Sequence, residues 1–153
     1  MNLAKMLKKE NIYIGDTYKD TDSFYADYSG FLKKKGIITN KEAVKRLFIK
    51  RENLHSTAIG KGAPAPHIFS DKFSQFIFSI ALIKNGLDFK APDNGNVYLV
   101  FLIMSDERDV GLHLKCLAHI GRLVSCTDIV EEMKKAGNTD EVYYIFLEKE
   151  KII

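Results

Sequence analysis

The chain changes its hydrophobic period twice, and those changes divide it into helical, extended and again helical stretches. Near the start, Asn11 to Ile14 reads as a short strand. Asp22 to Lys35 then carries a helical pattern, and Gly36 follows as a C-terminal stop. Thr39 or Asn40 supplies the N-cap of a second helix running through Leu47, Phe48 and Arg51. From Ser74 to Ile83 the period becomes two. Phe76, Phe78, Ile80 and Leu82 fall on one face, while Ile77, Ala81 and Ile83 share the other with Ser79. Both faces are largely apolar, which predicts a central strand covered on two sides. Val97 to Met104 predicts a second strand of the same kind, preceded by a turn over Pro92 to Asn96.

Helical spacing then returns. Leu114, Leu117, Gly121 and Val124 form an apolar stripe with Ile120 beside it. Thr127 caps a helix from Asp128 to Lys135 that stops at Gly137, and Asn138 with Glu141 resembles a capping box for a last helix. Doubly covered strands between helices predict one layered α/β domain over residues 1–153, with a mixed parallel/antiparallel sheet flanked by helices on both faces.

Composition narrows the class. The chain has 153 residues, of which 46% are hydrophobic and 28% charged, an ordinary globular balance that argues against disorder. A domain of this length buries roughly 68–70% of its unfolded surface and needs no disulfide or metal staple. Lys and Arg number 23 against 20 Asp and Glu, so the +3 surplus does not point to nucleic acid. Lys33 to Lys35 and the alternating Glu148 to Lys151 are expected to be solvated surface. No apolar run approaches the roughly 20 residues that span a bilayer. The N-terminus lacks the apolar core of a signal peptide, so a cytoplasmic location with reduced Cys116 and Cys126 is expected. No cofactor is implied.

Four histidines are the candidate chemistry: His55, His67, His113 and His119. The six-residue step from His113 to His119 turns about 600 degrees on a helix, so the two cannot chelate one ion. No zinc-type spacing is present, and no metal is expected. His119 shares a side with Lys115 and Arg122 and is expected at the surface, whereas His113 lies at the start of the apolar stripe. His67 ends the one stretch dominated by glycine and proline, Gly60-Lys61-Gly62-Ala63-Pro64-Ala65-Pro66. This reads either as an ordered loop with an ordinary surface histidine, or as a turn whose exposed amides bind an anion. It is not a Walker loop, because Gly62 stands where Ser or Thr is required. Arg51, Ser56 and Thr57 lie just upstream, and an arginine fork with hydroxyls suits a phosphate.

In these segments the sequence resembles the enzyme IIA domain of the phosphoenolpyruvate-dependent sugar phosphotransferase system, of the fructose/mannitol type that includes nitrogen-regulatory proteins. The family segment R-E-x-x-x-S-T-x-I-G-x-G-I-A-I-P-H-G stands here as Arg51-Glu52, Ser56-Thr57, Ile59-Gly60, Gly62 and Ala63-Pro64-Ala65-Pro66-His67-Ile68. The segment H-L-x-x-L-A-x-I-A-R-L-L stands as His113-Leu114, Leu117-Ala118, Ile120-Gly121-Arg122-Leu123-Val124, and Glu10-Asn11-Ile12 matches an E-N-I opening. The sequence departs at Pro64, at Ala63 and Ala65, and at Ile68, where the family has larger strand residues and a small residue after the histidine. The resemblance implies that His67 takes a phosphoryl group from phospho-HPr and passes it to a cysteine of a cognate EIIB. It implies that His113 is the histidine beside it and that Arg51 is near the phosphate, with Ser56 and Thr57 lining the pocket. The implied roles are a phosphocarrier in uptake of fructose- or mannitol-like sugars, a regulatory IIA protein, or an interaction module that no longer transfers phosphate. Cys116 and Cys126 are expected to be bystanders, buried or inert.

Overall fold

The two doubly apolar runs occupy the middle of the sheet. In the computed structural model, which describes residues 1–57 and 61–153, the strands are β1 (Leu7–Gly15), β2 (His67–Phe69), β3 (Ile77–Leu87) and β4 (Val97–Ser105). The helices are α1 (Thr21–Lys34), α2 (Lys41–Leu54), α3 (Val110–Cys126), α4 (Ile129–Lys134) and α5 (Thr139–Glu150). The sheet order is β1-β3-β4-β2. β1 runs parallel to β3, β3 antiparallel to β4, and β4 parallel to β2, so the sheet is mixed.

Alternation along the central strands builds two cores. Phe78, Ile80 and Leu82 of β3 join Leu99, Phe101 and Ile103 of β4 beneath α3, α4 and α5. Ile77, Ala81 and Ile83 join Val100, Leu102 and Met104 beneath α1 and α2. There Tyr25 and Phe48 stack at 5.1 Å, tying α1 to α2. The expected helices on both faces of the sheet are therefore present.

The predicted caps at Asn40 and Asn138 act where the sequence puts them, whereas Asp128 and not Thr127 is the N-cap residue of α4, Thr127 Oγ1 accepting from Ile129 N at 3.2 Å. Asn40 Oδ1 accepts from Ala43 N at 3.0 Å, and Asn138 Oδ1 accepts from Glu141 N at 2.9 Å. Gly36 sits at φ 73°, and Ile37 N donates back to Leu32 O, closing α1 in a left-handed stop. β1 is longer than the predicted Asn11–Ile14, starting at Leu7.

Three further expectations are corrected, and two share one cause. His119 is buried, not at the surface, and Glu150 is buried within the Glu148–Lys151 run that was expected to be solvated. Glu150 Oε1 accepts from His119 Nε2 at 2.9 Å, and its two oxygens also accept from the amides of Leu3 and Ala4. This carboxylate ties the first turn of the chain to α3 and α5. Third, the apolar stripe of α3 is shifted. His113, Cys116, Ile120 and Leu123 face the core, with Val124, while Leu114 is 65% exposed.

Candidate functional site

The position of His67 follows from the prolines before it. Along the edge of β4, Phe101 N donates to Pro64 O at 3.0 Å and Ile103 N donates to Pro66 O at 3.1 Å. Leu99 N likewise donates to Gly62 O at 3.2 Å. The segment therefore supplies the acceptor half of a parallel ladder, while each proline withholds its donor. Regular pairing begins only at His67, opposite Ile103. Gly62 makes the entry to this segment. It sits at φ 69°, and a Cβ there would stand 3.1 Å from Asn96 O. Part of the glycine-rich turn, residues 58–60, lies outside the described residues. Lys61 N donates to Asp93 Oδ2 at 3.2 Å, so this amide is already held by a carboxylate.

His67 is half-buried. Its Nδ1 lies 3.1 Å from Ala65 O. A carbonyl can only accept, so Nδ1 carries a proton, and in the neutral form of the ring the lone pair is on Nε2. His113 approaches from α3, its ring centroid 6.0 Å from that of His67 at an interplanar angle of 73°. The strand and the helix thus bring together two histidines 46 positions apart.

The surroundings of His113 fix its charge. It is 2% exposed. Phe69 stacks on it with centroids 4.1 Å apart, and Phe76 meets it edge-on at 5.4 Å. Burial, and then the nearby charge of His67, push its pKa down to about 4, so the ring is neutral near pH 7. Its Nε2 lies 2.6 Å from Ser105 Oγ, and its buried Nδ1 has no hydrogen-bond partner among the described residues.

The other predicted site residues lie at the end of α2. Arg51 Nη1 donates to His55 O at 3.2 Å. Ser56 Oγ donates to Phe89 O at 2.6 Å, and Thr57 Oγ1 donates to Glu52 Oε2 at 2.8 Å. Glu52 also accepts from Thr57 N and from the Tyr25 hydroxyl, and so organises this loop. The structure brings His67 and His113 into ring contact, while the contacts of Arg51 and Thr57 run to their own neighbours.

Sequence reasoning missed four residues at this site: Ser105, Phe69, Phe76 and Glu52. Phe69 was findable, because two residues after His67 on a strand puts it on the same face. Ser105 left a fainter signal, a polar residue at the end of the apolar run from Val97 to Met104. Of the cysteines, Cys116 is buried and its thiol is pushed up to about 11, whereas Cys126 is exposed at the end of α3. Among the described residues no group of three or more His, Cys, Asp or Glu side chains is placed to hold a metal ion. No helix among them is long and apolar enough to cross a membrane.

A four-stranded mixed sheet between two helical layers, with a half-open histidine at its edge strand and a buried neutral one beside it, defines a histidine-centred α/β domain. The chain belongs to the family described as "Phosphoenolpyruvate-dependent sugar phosphotransferase system, EIIA 2", whose model matches residues 5–149. This is a family of phosphocarriers that take part in phosphotransfer. The chain is 32% identical over 106 residues to a nitrogen regulatory protein of Bradyrhizobium diazoefficiens, covering 69% of each chain. It is 24% identical over 151 residues to the fructose-specific EIIABC component of Bacillus subtilis, covering 99% of this chain and 24% of that one. The chain thus spans about a quarter of the length of that multidomain relative. Among solved structures it resembles the nitrogen regulatory protein IIA-Ntr of Neisseria meningitidis, with a TM-score of 0.82, 23% identity and coverage of 94% and 98% of the two chains. It also resembles a complex of enzyme IIA and phosphorylated enzyme IIB of the mannitol system of Escherichia coli, with a TM-score of 0.75, 19% identity and coverage of 93% and 97%. At these identities the structural likeness establishes the fold.

Proposed function

We propose that the protein is a phosphohistidine carrier of the sugar phosphotransferase system. His67 accepts the phosphoryl group from phospho-HPr and hands it to a cysteine of a cognate EIIB in uptake of fructose- or mannitol-like sugars. The observation that carries this reading is the state of His67: its Nδ1–H is held by Ala65 O, which leaves Nε2 as a free nucleophile. In the first step Nε2 attacks phosphorus, the bond from phosphorus to the donor protein breaks, and an N–P bond forms. In the second, a cysteine thiolate of the acceptor attacks, the N–P bond breaks and an S–P bond forms. Phosphoryl transfer of this kind passes through a loose transition state, so positioning and charge stabilisation do most of the catalysis.

His113 is the group we assign to the phosphoryl oxygens from the core side. Arg51 is assigned to them by its place in the Arg51-Glu52 segment, and its hydrogen bond to the His55 carbonyl is one that an anion would readily displace. Ser56 and Thr57 would line the same pocket. Their hydroxyl protons now point to Phe89 O and Glu52, so binding phosphate through them requires those protons to turn. Neutral HPr-facing surface is supplied by the half-buried Phe69 and Phe76 beside the histidines.

The test is direct. Incubation with phosphoenolpyruvate, enzyme I and HPr should add one acid-labile phosphoryl group to the intact mass of the wild type and none to His67→Ala. A wild type that stays unlabelled with several HPr sources is instead an interaction module of the same fold. A second reading, favoured by the 32% identity to a nitrogen regulatory protein, is that the phosphorylation state of His67 controls a bound partner. Transfer to EIIB partners separates the two, since a purely regulatory protein should give up its phosphoryl group to none of them.

A further inference from the structure

On the α1–α2 side of the sheet lies a cavity that the proposed transfer leaves unused. It opens between the α1–α2 turn, the first turns of α2 and the loop from β2 to β3, and its volume is about 280 Å³. Its apolar lining is Ile38, Val44, Leu47, Phe73 and Ile77. Ile38, Val44, Phe73 and Ile77 are core residues that each keep 5–8% of their surface accessible. The volume lies just below the roughly 300–1,000 Å³ of drug-sized ligand sites, which selects a compact occupant.

Charge narrows the class of that occupant. Lys72 is the one charged side chain among the described residues that line the cavity. No ion pair among the described residues involves it. The N-terminal end of α2, the positive end of its dipole, borders the cavity through Asn40 and Ala43. Lys35 and Lys41 bracket the turn from Gly36 to Asn40 in sequence, and the carboxylate in the first turn of α2, Glu42, is held by Lys45 at 2.9 Å. We propose that this cavity binds a small organic acid, its apolar body against Ile38, Val44, Phe73 and Ile77 and its carboxylate toward Lys72. The site adjoins the reacting strand. Ile68, next to His67, packs in the same layer as Phe73 and Ile77, and Ser70 N donates to Ser105 O at 3.0 Å just beyond the end of β2. Binding is a property of the unphosphorylated chain and stands apart from the phosphocarrier reading.

Amide NMR titrations of the unphosphorylated wild type with phenylacetate, with its neutral amide phenylacetamide and with acetate, at fixed pH and ionic strength, test it. Phenylacetate should give saturable shifts centred on residues 36–47 and 70–77, with a dissociation constant in the millimolar range. Phenylacetamide should bind roughly threefold more weakly, the loss of one solvent-exposed charge contact. Acetate, which has no apolar body, should not saturate. Lys72→Gln should bring phenylacetate down to the level of phenylacetamide, and Ala43→Leu, which fills the cavity from α2, should abolish the saturable shifts. No saturable shifts, shifts centred elsewhere, equal affinity for acid and amide, or a Lys72→Gln protein that keeps the preference for the acid overturns the proposal. So do shifts of the same residues on raising the protein concentration alone, which would mean that a second copy covers the cavity.

Discussion

Burial decides what His113 can do. Its surroundings hold it neutral near pH 7, so its ring has one N–H and no positive charge. The same burial has a thermodynamic signature. The folded pKa is about 4 against an ordinary 6.5, so the unfolded chain takes up this proton at higher pH than the folded one. The contribution to stability is therefore complete above about pH 6.5 and is lost as pH falls from there toward 4. Urea denaturation at pH 7.5 and pH 5 should show a smaller acid loss in His113→Gln than in the wild type. Equal losses would mean that His113 titrates normally. At this scale the two histidines were legible in the sequence, because each lies in a recognisable segment. Ser105 was not, because it meets His113 through a β4–α3 turn whose geometry no periodicity records. The burial of His119 was also hidden, since its partner Glu150 lies 31 residues away on another helix.

Helix α3 carries the clearest lesson about elements. Read along the chain, Leu114 and Leu117 look like the start of its core stripe. The helix instead turns His113, Cys116, Ile120 and Leu123 inward and leaves Leu114 at the surface. Apolar residues occupy both sides of this helix, so its period does not by itself fix which side is buried. The sheet selects between them. Packing His113 against Phe69 and Ser105 requires the phase that exposes Leu114. Substitutions distinguish the two phases. Leu114→Lys should change unfolding free energy by less than about 0.5 kcal/mol, as at an ordinary surface position. Leu123→Ala should cost about 2–5 kcal/mol through loss of buried contacts and the cavity left behind. The reverse order in denaturant titrations would refute the observed phase. The strand of His67 was harder to foresee. Glycine and proline disguise residues 60–66 as a loop, yet Gly62, Pro64 and Pro66 still accept from β4 through their carbonyls. The caps at Asn40 and Asn138 and the central strands, by contrast, are local or strictly periodic features, and they were readable directly.

The whole molecule places one strand edge between two well-filled layers. β3 and β4 are buried on both faces, so the sheet is fixed by its cores. β2 lies at the edge of the sheet beside β4 and carries the half-buried His67. That arrangement suits a carrier that must meet two partners in turn at one nitrogen. Glu150 joins the first turn of the chain to α3 and α5 through the amides of Leu3 and Ala4 and the ring of His119. The near-balanced charge fits protein partners better than a nucleic acid. The central claim is chemical, that Nε2 of His67 is the atom that carries phosphorus. Phosphorus–nitrogen NMR on histidine-labelled protein, phosphorylated through enzyme I and HPr, tests it most directly. The account predicts a single phosphorus coupled to the Nε2 of His67. Coupling to Nδ1, phosphorus on another residue, or a wild type that takes up none would contradict it.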